Sequence, residues 1–140
     1  METKLNSFTL IVNEASIKNN NLPVGDFKLN PQIQKKIGKA NSSENAYVVE
    51  ARVEIFNTSE NPFPIDLVAS LSGIFNIEGD NVEEINNFLQ SQGFQMVFPY
   101  LRSLVANMTA NAMMPPIFLP IVYANQFEEK PITEYFEKTF

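Results

Sequence analysis

Tyr47-Val48-Val49-Glu50-Ala51-Arg52-Val53-Glu54-Ile55 and, after a polar link, Phe63-Pro64-Ile65-Asp66-Leu67-Val68-Ala69-Ser70-Leu71 form the stretch on which the fold turns. Tyr47, Val49, Ala51, Val53 and Ile55 occupy alternate positions, with Val48, Glu50, Arg52 and Glu54 between them. Successive side chains of a strand point to opposite faces, so this spacing gives one apolar face and one largely charged face. Asn57-Thr58-Ser59-Glu60-Asn61-Pro62 is dense in turn-forming residues. Phe63, Ile65, Leu67, Ala69 and Leu71 then resume the alternation down to Gly73. Two alternating runs with so short a link predict an antiparallel hairpin, oily on one side and partly wet on the other.

Towards the N-terminus, Phe8, Leu10 and Val12 alternate with Thr9 and Asn13 and read as a first strand. Asn19-Asn20-Asn21, with Pro23 and Gly25, reads as a crossover loop. Phe27, Leu29, Pro31, Ile33 and Ile37 fall on odd positions, a second period-two run. Pro31 cannot donate to a ladder, which places that strand at an edge or breaks it. A helix starting at Pro31 is the competing reading.

Towards the C-terminus the period changes. Asp80 is a capping residue with Glu83 three positions on, and Val82, Ile85, Phe88 and Leu89 share a helical face. Gly93 interrupts the run, and Pro99 suits the first turn of a second helix. Leu101, Leu104, Val105, Met108 and Ala112 continue the stripe until Pro115-Pro116. Tyr123 and Phe127 point to a short last helix, and Pro131 starts or kinks the segment holding Ile132, Tyr135 and Phe136. Strands first and helices after define an α+β class. The expected architecture is a four-stranded antiparallel sheet, then a long broken helix and a shorter C-terminal helix packed on one face, in one domain over 1–140.

With 140 residues, 44% hydrophobic and 19% charged, the composition is that of a globular chain rather than a disordered one. Sixteen acidic against ten basic side chains give a formal charge of −6. That balance argues against a nucleic-acid partner, which requires a basic surface. The chain has no Cys and no His, so it lacks thiolate nucleophiles, zinc–thiolate ligands and the commonest general base. Glu50 and Glu54 flank Arg52 on one strand face, a charge ladder rather than an acid–base pair. No glycine-rich loop precedes a Lys-Ser/Thr pair to cradle phosphates. The expectation is a protein without catalytic residues, metal or cofactor. The segment after Met1-Glu2-Thr3-Lys4 has no apolar signal region, and 112–124 is too short and too proline-rich to span a bilayer of about 30 Å. No stable membrane insertion is expected, and the cytoplasm is the expected compartment.

Met113-Met114-Pro115-Pro116-Ile117-Phe118-Leu119-Pro120 is both greasy and stiff. Connecting segments normally run over the surface, and exposed apolar surface marks a place where another chain binds. The competing reading is that Met113, Met114, Phe118 and Leu119 fold back as ordinary core, since Met fills core gaps as readily as it adapts to varied partners.

Gly73-Ile74-Phe75-Asn76-Ile77, Phe98-Pro99-Tyr100-Leu101-Arg102 and Met114-Pro115-Pro116-Ile117-Phe118-Leu119-Pro120 occur in that order. The series resembles the SecB family of bacterial protein-export chaperones. Its members carry a G-I-F-x-I strand end, a helix opening on F-P-Y-x-R and an F-P-x-L-x-L-x-P loop before a final helix. The resemblance is strongest from Ala51 to Phe127 and extends more weakly from Phe8. It implies a hydrophobic groove for unfolded polypeptides, bordered here by Met113, Met114, Pro116, Ile117, Phe118, Leu119, Tyr123 and Phe127. It also implies a homotetramer, a dimer of dimers, with Leu101, Leu104, Val105 and Met108 at its contacts. Each of these four reads equally well as intrachain core.

In the family, hand-off to the motor SecA uses acidic residues on the exposed sheet face. Here Asn19, Asn20 and Asn21 fill the first crossover, and Val68 stands where a carboxylate is expected, with Asp66 close by. The C-terminal segment contains Pro131 and carries aromatics instead of an acidic tail. The implied function is ATP-independent holding of unfolded chains, for export or for one dedicated client such as an antitoxin. A small apolar ligand- or lipid-binding domain, using the same surface, is the alternative.

Overall fold

The computed structural model describes residues 2–23, 25–41 and 43–123, together with the backbone of 134–136. Four long strands, β1 (Lys4–Asn19), β2 (Gln32–Ala40), β3 (Ala46–Ile55) and β4 (Ile65–Glu78), precede two helices, α1 (Val82–Phe88) and α2 (Phe94–Asn111). A three-residue strand, β5 (Glu134–Phe136), follows. The sheet order is β1-β4-β3-β2-β5, so β2, β3 and β4 form a meander and β1 returns to lie beside β4. All pairings among β1 to β4 are antiparallel, whereas β5 adds parallel to β2 through Gly38–Glu134 and Ala40–Phe136.

The hairpin forms where the alternation places it. Val49, Ala51, Val53 and Ile55 of β3 and Ile65, Leu67, Ala69 and Leu71 of β4 are buried under α2. On the other face Arg52 Nη1 meets Glu14 at 2.9 Å and Arg52 Nε meets Glu54 at 3.0 Å. Between strand and charge ladder the sheet is oily on one side and polar on the other.

β1 runs well beyond the Phe8–Val12 expected, through a register shift between Val12 and Glu14. Phe8 and Leu10 face the helices before the shift and Ile17 faces them after it, so an extra residue absorbs the change of phase. That residue, Asn13, turns its amide to the other face and donates to Ser72 Oγ at 2.7 Å.

The expected strand from Phe27 begins only at Gln32. Pro31 precedes the ladder it cannot join, and no helix starts there. Phe27 and Leu29 still pack against the core, with the Phe27 ring 6.3 Å from Phe63. The crossover is tied down by Asn20 N–H donating to Pro64 O at 2.9 Å and by Asn61 Nδ2 donating to Lys28 O at 3.3 Å.

Three expectations for the helices are corrected. The first cap is Asn81 rather than Asp80: its Oδ1 accepts the Glu84 N–H at 3.1 Å. Gly93 does not break the run. Leu89–Gly93 is a π-helical segment that joins α1 to α2 and inserts the residue needed to bring Leu89 and Phe94 both inward. Lys35 Nζ donates to Gln90 O of that segment at 3.1 Å. Pro99 lies inside α2 rather than in its first turn, on its exposed side, where the missing N–H deprives the Gln95 carbonyl of its partner. The expected C-terminal helix around Phe127 lies outside the described residues, and Tyr123 itself is not helical.

Candidate functional site

α2 lays Phe94, Val97, Phe98, Leu101, Val105 and Thr109 onto the sheet. Leu101 and Val105 are therefore core of this chain, both fully buried, while Leu104 and Met108 are half-buried on the flank. Tyr100, 50% exposed, extends that flank by one turn. Tyr100, Leu104 and Met108 recur every four residues and make an apolar stripe beside the buried face.

The Gly73-Ile74-Phe75 stretch works from below. Phe75 is fully buried, with its ring 4.8 Å from that of Phe8 and 5.9 Å from that of Phe88. Gly73 lets α2 approach, because a Cβ there would lie 2.6 Å from Val97 Cγ2.

α2 ends in a tight reversal. Met113 N–H donates to Ala110 O and Met114 N–H to Thr109 O, both at 3.1 Å, with Met113 at φ 63°. This is a Schellman-type end with Met in the left-handed position that glycine usually fills. It throws the Met113 side chain outward, where it is 92% exposed, and turns Met114 back against the core. Pro115 and Pro116 prevent the helix from resuming.

The chain then runs extended along α2 and is pinned to it twice. Thr109 Oγ1, fully buried, accepts the Ile117 N–H at 2.9 Å and donates back to Val105 O at 2.9 Å. Arg102 Nε donates to Leu119 O at 2.9 Å. Between these anchors Ile117 packs inward, Leu119 is buried at 1% exposure, and Phe118 stands out at 68%. Ile121 and Tyr123 continue outward at 65% and 61%, and Val122 packs in.

The residues singled out from sequence thus divide into two groups. Met113, Pro116, Phe118 and Tyr123 are exposed; Met114 and Ile117 are half-buried, and Leu119 is core. Phe127 lies outside the described residues. Ile121 joins the exposed set and was missed, although its place beside Pro120 continues the same greasy run. Thr109 was missed too, since a single Thr within a helix carries no signal by itself.

On the polar sheet face, Asp66 is half-buried, and its Oδ1 accepts the Asn57 N–H at 2.8 Å and the Asn20 Nδ2 at 3.1 Å. The Asn57 N–H, then the Asn20 amide and the Lys18 charge, hold its carboxyl below the ordinary value against a smaller opposing effect of burial. Val68 is half-buried beside it. The Arg52 guanidinium is held above its ordinary range by its hydrogen bonds to Glu14 and Glu54. An open cleft of about 450 Å³ lies elsewhere, between the start of β1 and α1. Its lining mixes Leu5, Ile77 and Phe88 with Glu84, Asn87 and Gln92, which does not suit an aliphatic ligand. Among the described residues no helix is long and apolar enough to cross a membrane.

Four antiparallel strands, a long helix on one face of the sheet and an apolar loop bound along that helix make up a SecB-type fold. The chain belongs to the SecB family: the model of the preprotein translocase subunit SecB matches residues 3–131. The protein-export protein SecB of Ruegeria pomeroyi is 28% identical over 98 residues, which is 68% of this chain but 59% of that protein's length. SecB of Afipia carboxidovorans is 24% identical over 131 residues, 90% of this chain and 81% of its own. An uncharacterized protein of Methanocaldococcus jannaschii is 26% identical over 104 residues, 72% of this chain and 67% of that protein. Among solved structures, a Mycobacterium tuberculosis SecB-like chaperone in complex with a ChAD peptide from the HigA1 antitoxin superposes with a TM-score of 0.65. It shares 15% identity, covers 86% of this chain and 90% of its own, and so attests the fold.

Proposed function

We propose that this chain is an ATP-independent holdase that captures unfolded polypeptides on the apolar surface of the 113–123 loop. The observation that carries the reading is the exposure of Met113, Phe118, Ile121 and Tyr123 on one pinned, proline-stiffened segment. A stiff loop presents its side chains at little ordering cost, which leaves more of the contact energy for binding. Capture of this kind needs no metal, nucleotide or covalent step.

Magnitudes set the mode of binding. Burying one Phe or Leu of a client contributes roughly 1.5–3 kcal/mol. Association costs on the order of 4–15 kcal/mol, and a micromolar complex needs about −8 kcal/mol net. One anchor is therefore too little, and several client side chains must engage at once. Repetition of the site in a homotetramer supplies that through effective concentration. With Leu101 and Val105 committed to the core, the subunit contact on α2 falls to Tyr100, Leu104 and Met108. Light scattering of the purified chain tests this, with a tetramer expected and a monomer counting against it.

Capture in the cytoplasm fits this reading. Hand-off to SecA fits less well, because the Asp66 carboxylate already serves the β3–β4 turn. The deciding experiment follows light scattering from an aggregating unfolded protein with and without this chain. Stoichiometric amounts are expected to suppress aggregation; unchanged aggregation removes the holdase reading.

A further inference from the structure

Arg102 and Thr109 stand two helical turns apart on α2 and so share one face. The first binds the carbonyl of Leu119 and the second binds the amide of Ile117, so together they clamp three consecutive residues. Side chains alternate along an extended backbone, and a slip of one position exchanges the inward set for the outward one. Ile117, Phe118 and Leu119 are all large and apolar, so burial alone gives little reason to prefer Ile117 and Leu119 inside over Phe118. The polar anchors do give one. Slippage would leave the buried Thr109 hydroxyl without the Ile117 N–H and the Leu119 carbonyl without Arg102, and unmade buried hydrogen bonds are expensive.

We propose that Arg102 and Thr109 are positioning residues that set the register of the 117–119 segment, and thereby select Phe118 as the side chain offered to the client. The proposal rests on the client-capture reading above for its consequence, though not for its geometry. Arg102 contributes through a charge-assisted hydrogen bond and not an ion pair: among the described residues its guanidinium partner is a backbone carbonyl. Thr109 must be a hydroxyl residue, since it accepts from Ile117 and donates to Val105 with the same oxygen.

The chain contains no Cys, so an introduced thiol is unique and its labelling rate reports which way a position faces. Phe118→Cys, Leu119→Cys and the core control Ala51→Cys are each made in the parent and in Thr109→Val, Thr109→Ser and Arg102→Gln backgrounds. In the parent, the thiol at 118 should label rapidly and those at 119 and 51 slowly. Thr109→Val and Arg102→Gln should accelerate labelling at 119 by roughly tenfold, the scale of one unmade buried hydrogen bond, with no change at 51. Thr109→Ser should behave as the parent. Client retention, measured by suppression of aggregation, should fall in Thr109→Val and Arg102→Gln and persist in Thr109→Ser. An unchanged rate at 119 overturns the proposal. So does equal acceleration at 119 and 51, which would mean that the whole fold had loosened. If the parent captures no client, the capture reading falls, and the labelling rates still decide whether the two residues set the register.

Discussion

Val97 of α2 sits directly over Gly73 of β4, with its Cγ2 2.6 Å from where a Cβ on residue 73 would be. Phe8 Cε2 closes the same space from β1 at 2.7 Å. A stiff β-branched side chain and a ring edge both occupy the volume an alanine methyl would need, so relief requires the helix to lift. Gly73→Ala is expected to destabilise the chain by about 1–3 kcal/mol, the usual cost of overpacking. Val97→Ala combined with it should recover part of that loss. Urea denaturation of the two single variants and the double variant measures the coupling. Strictly additive losses would mean that Val97 is not what the glycine accommodates.

Phe118 and Leu119 are neighbours in sequence but differ sharply in environment, at 68% and 1% exposure. Phe118→Ser should leave the unfolding midpoint unchanged while weakening client capture by up to about 1.5–3 kcal/mol per site, the value of one buried aromatic. Leu119→Ala should instead cost roughly 2–5 kcal/mol of stability, because the cavity it leaves is closed by α2 and the loop backbone. Parallel denaturation and aggregation assays separate the two effects. Loss of capture in Leu119→Ala with full stability would place Leu119 on the client surface after all.

This contrast shows what the sequence could convey. The hairpin of Tyr47–Ile55 and Ile65–Leu71 was legible because period two runs through it without a slip, and its polar face was legible from Glu50, Arg52 and Glu54. The full length of β1 was not. The inward set changes from Phe8 and Leu10 to Ile17 through an inserted residue, and an alternation count stops at the insertion. The same kind of slip hid the continuity of α1 and α2, where five π-helical residues carry the helix through Gly93. In the loop, composition announced apolar surface but not its direction, since three large apolar residues in a row have no pattern to read. Direction there comes from Thr109 and Arg102, which reach the segment through space. The C-terminal strand is equally silent in sequence, being three residues paired with a distant β2.

Asp66 carries the clearest pH dependence. Its carboxylate binds the Asn57 N–H and the Asn20 amide and lies opposite Lys18 in the β1–β4 register, and these hold its pKa below the ordinary aspartate range. A group whose pKa is depressed by folding contributes stability that is complete above the unfolded value and is lost as pH falls through the folded one. The stabilisation from Asp66 is therefore present at neutral pH and is lost progressively as acidification takes the pH below the ordinary aspartate range. Asp66→Asn keeps an acceptor oxygen but no charge, so it should be less stable than the parent at about pH 6, and the gap should narrow as the pH falls from there towards about 2. Urea midpoints of both proteins across that range make the comparison. A gap that stays constant on acidification would show that Asp66 acts through shape and not through its charge, and would remove the electrostatic account of the β3–β4 turn.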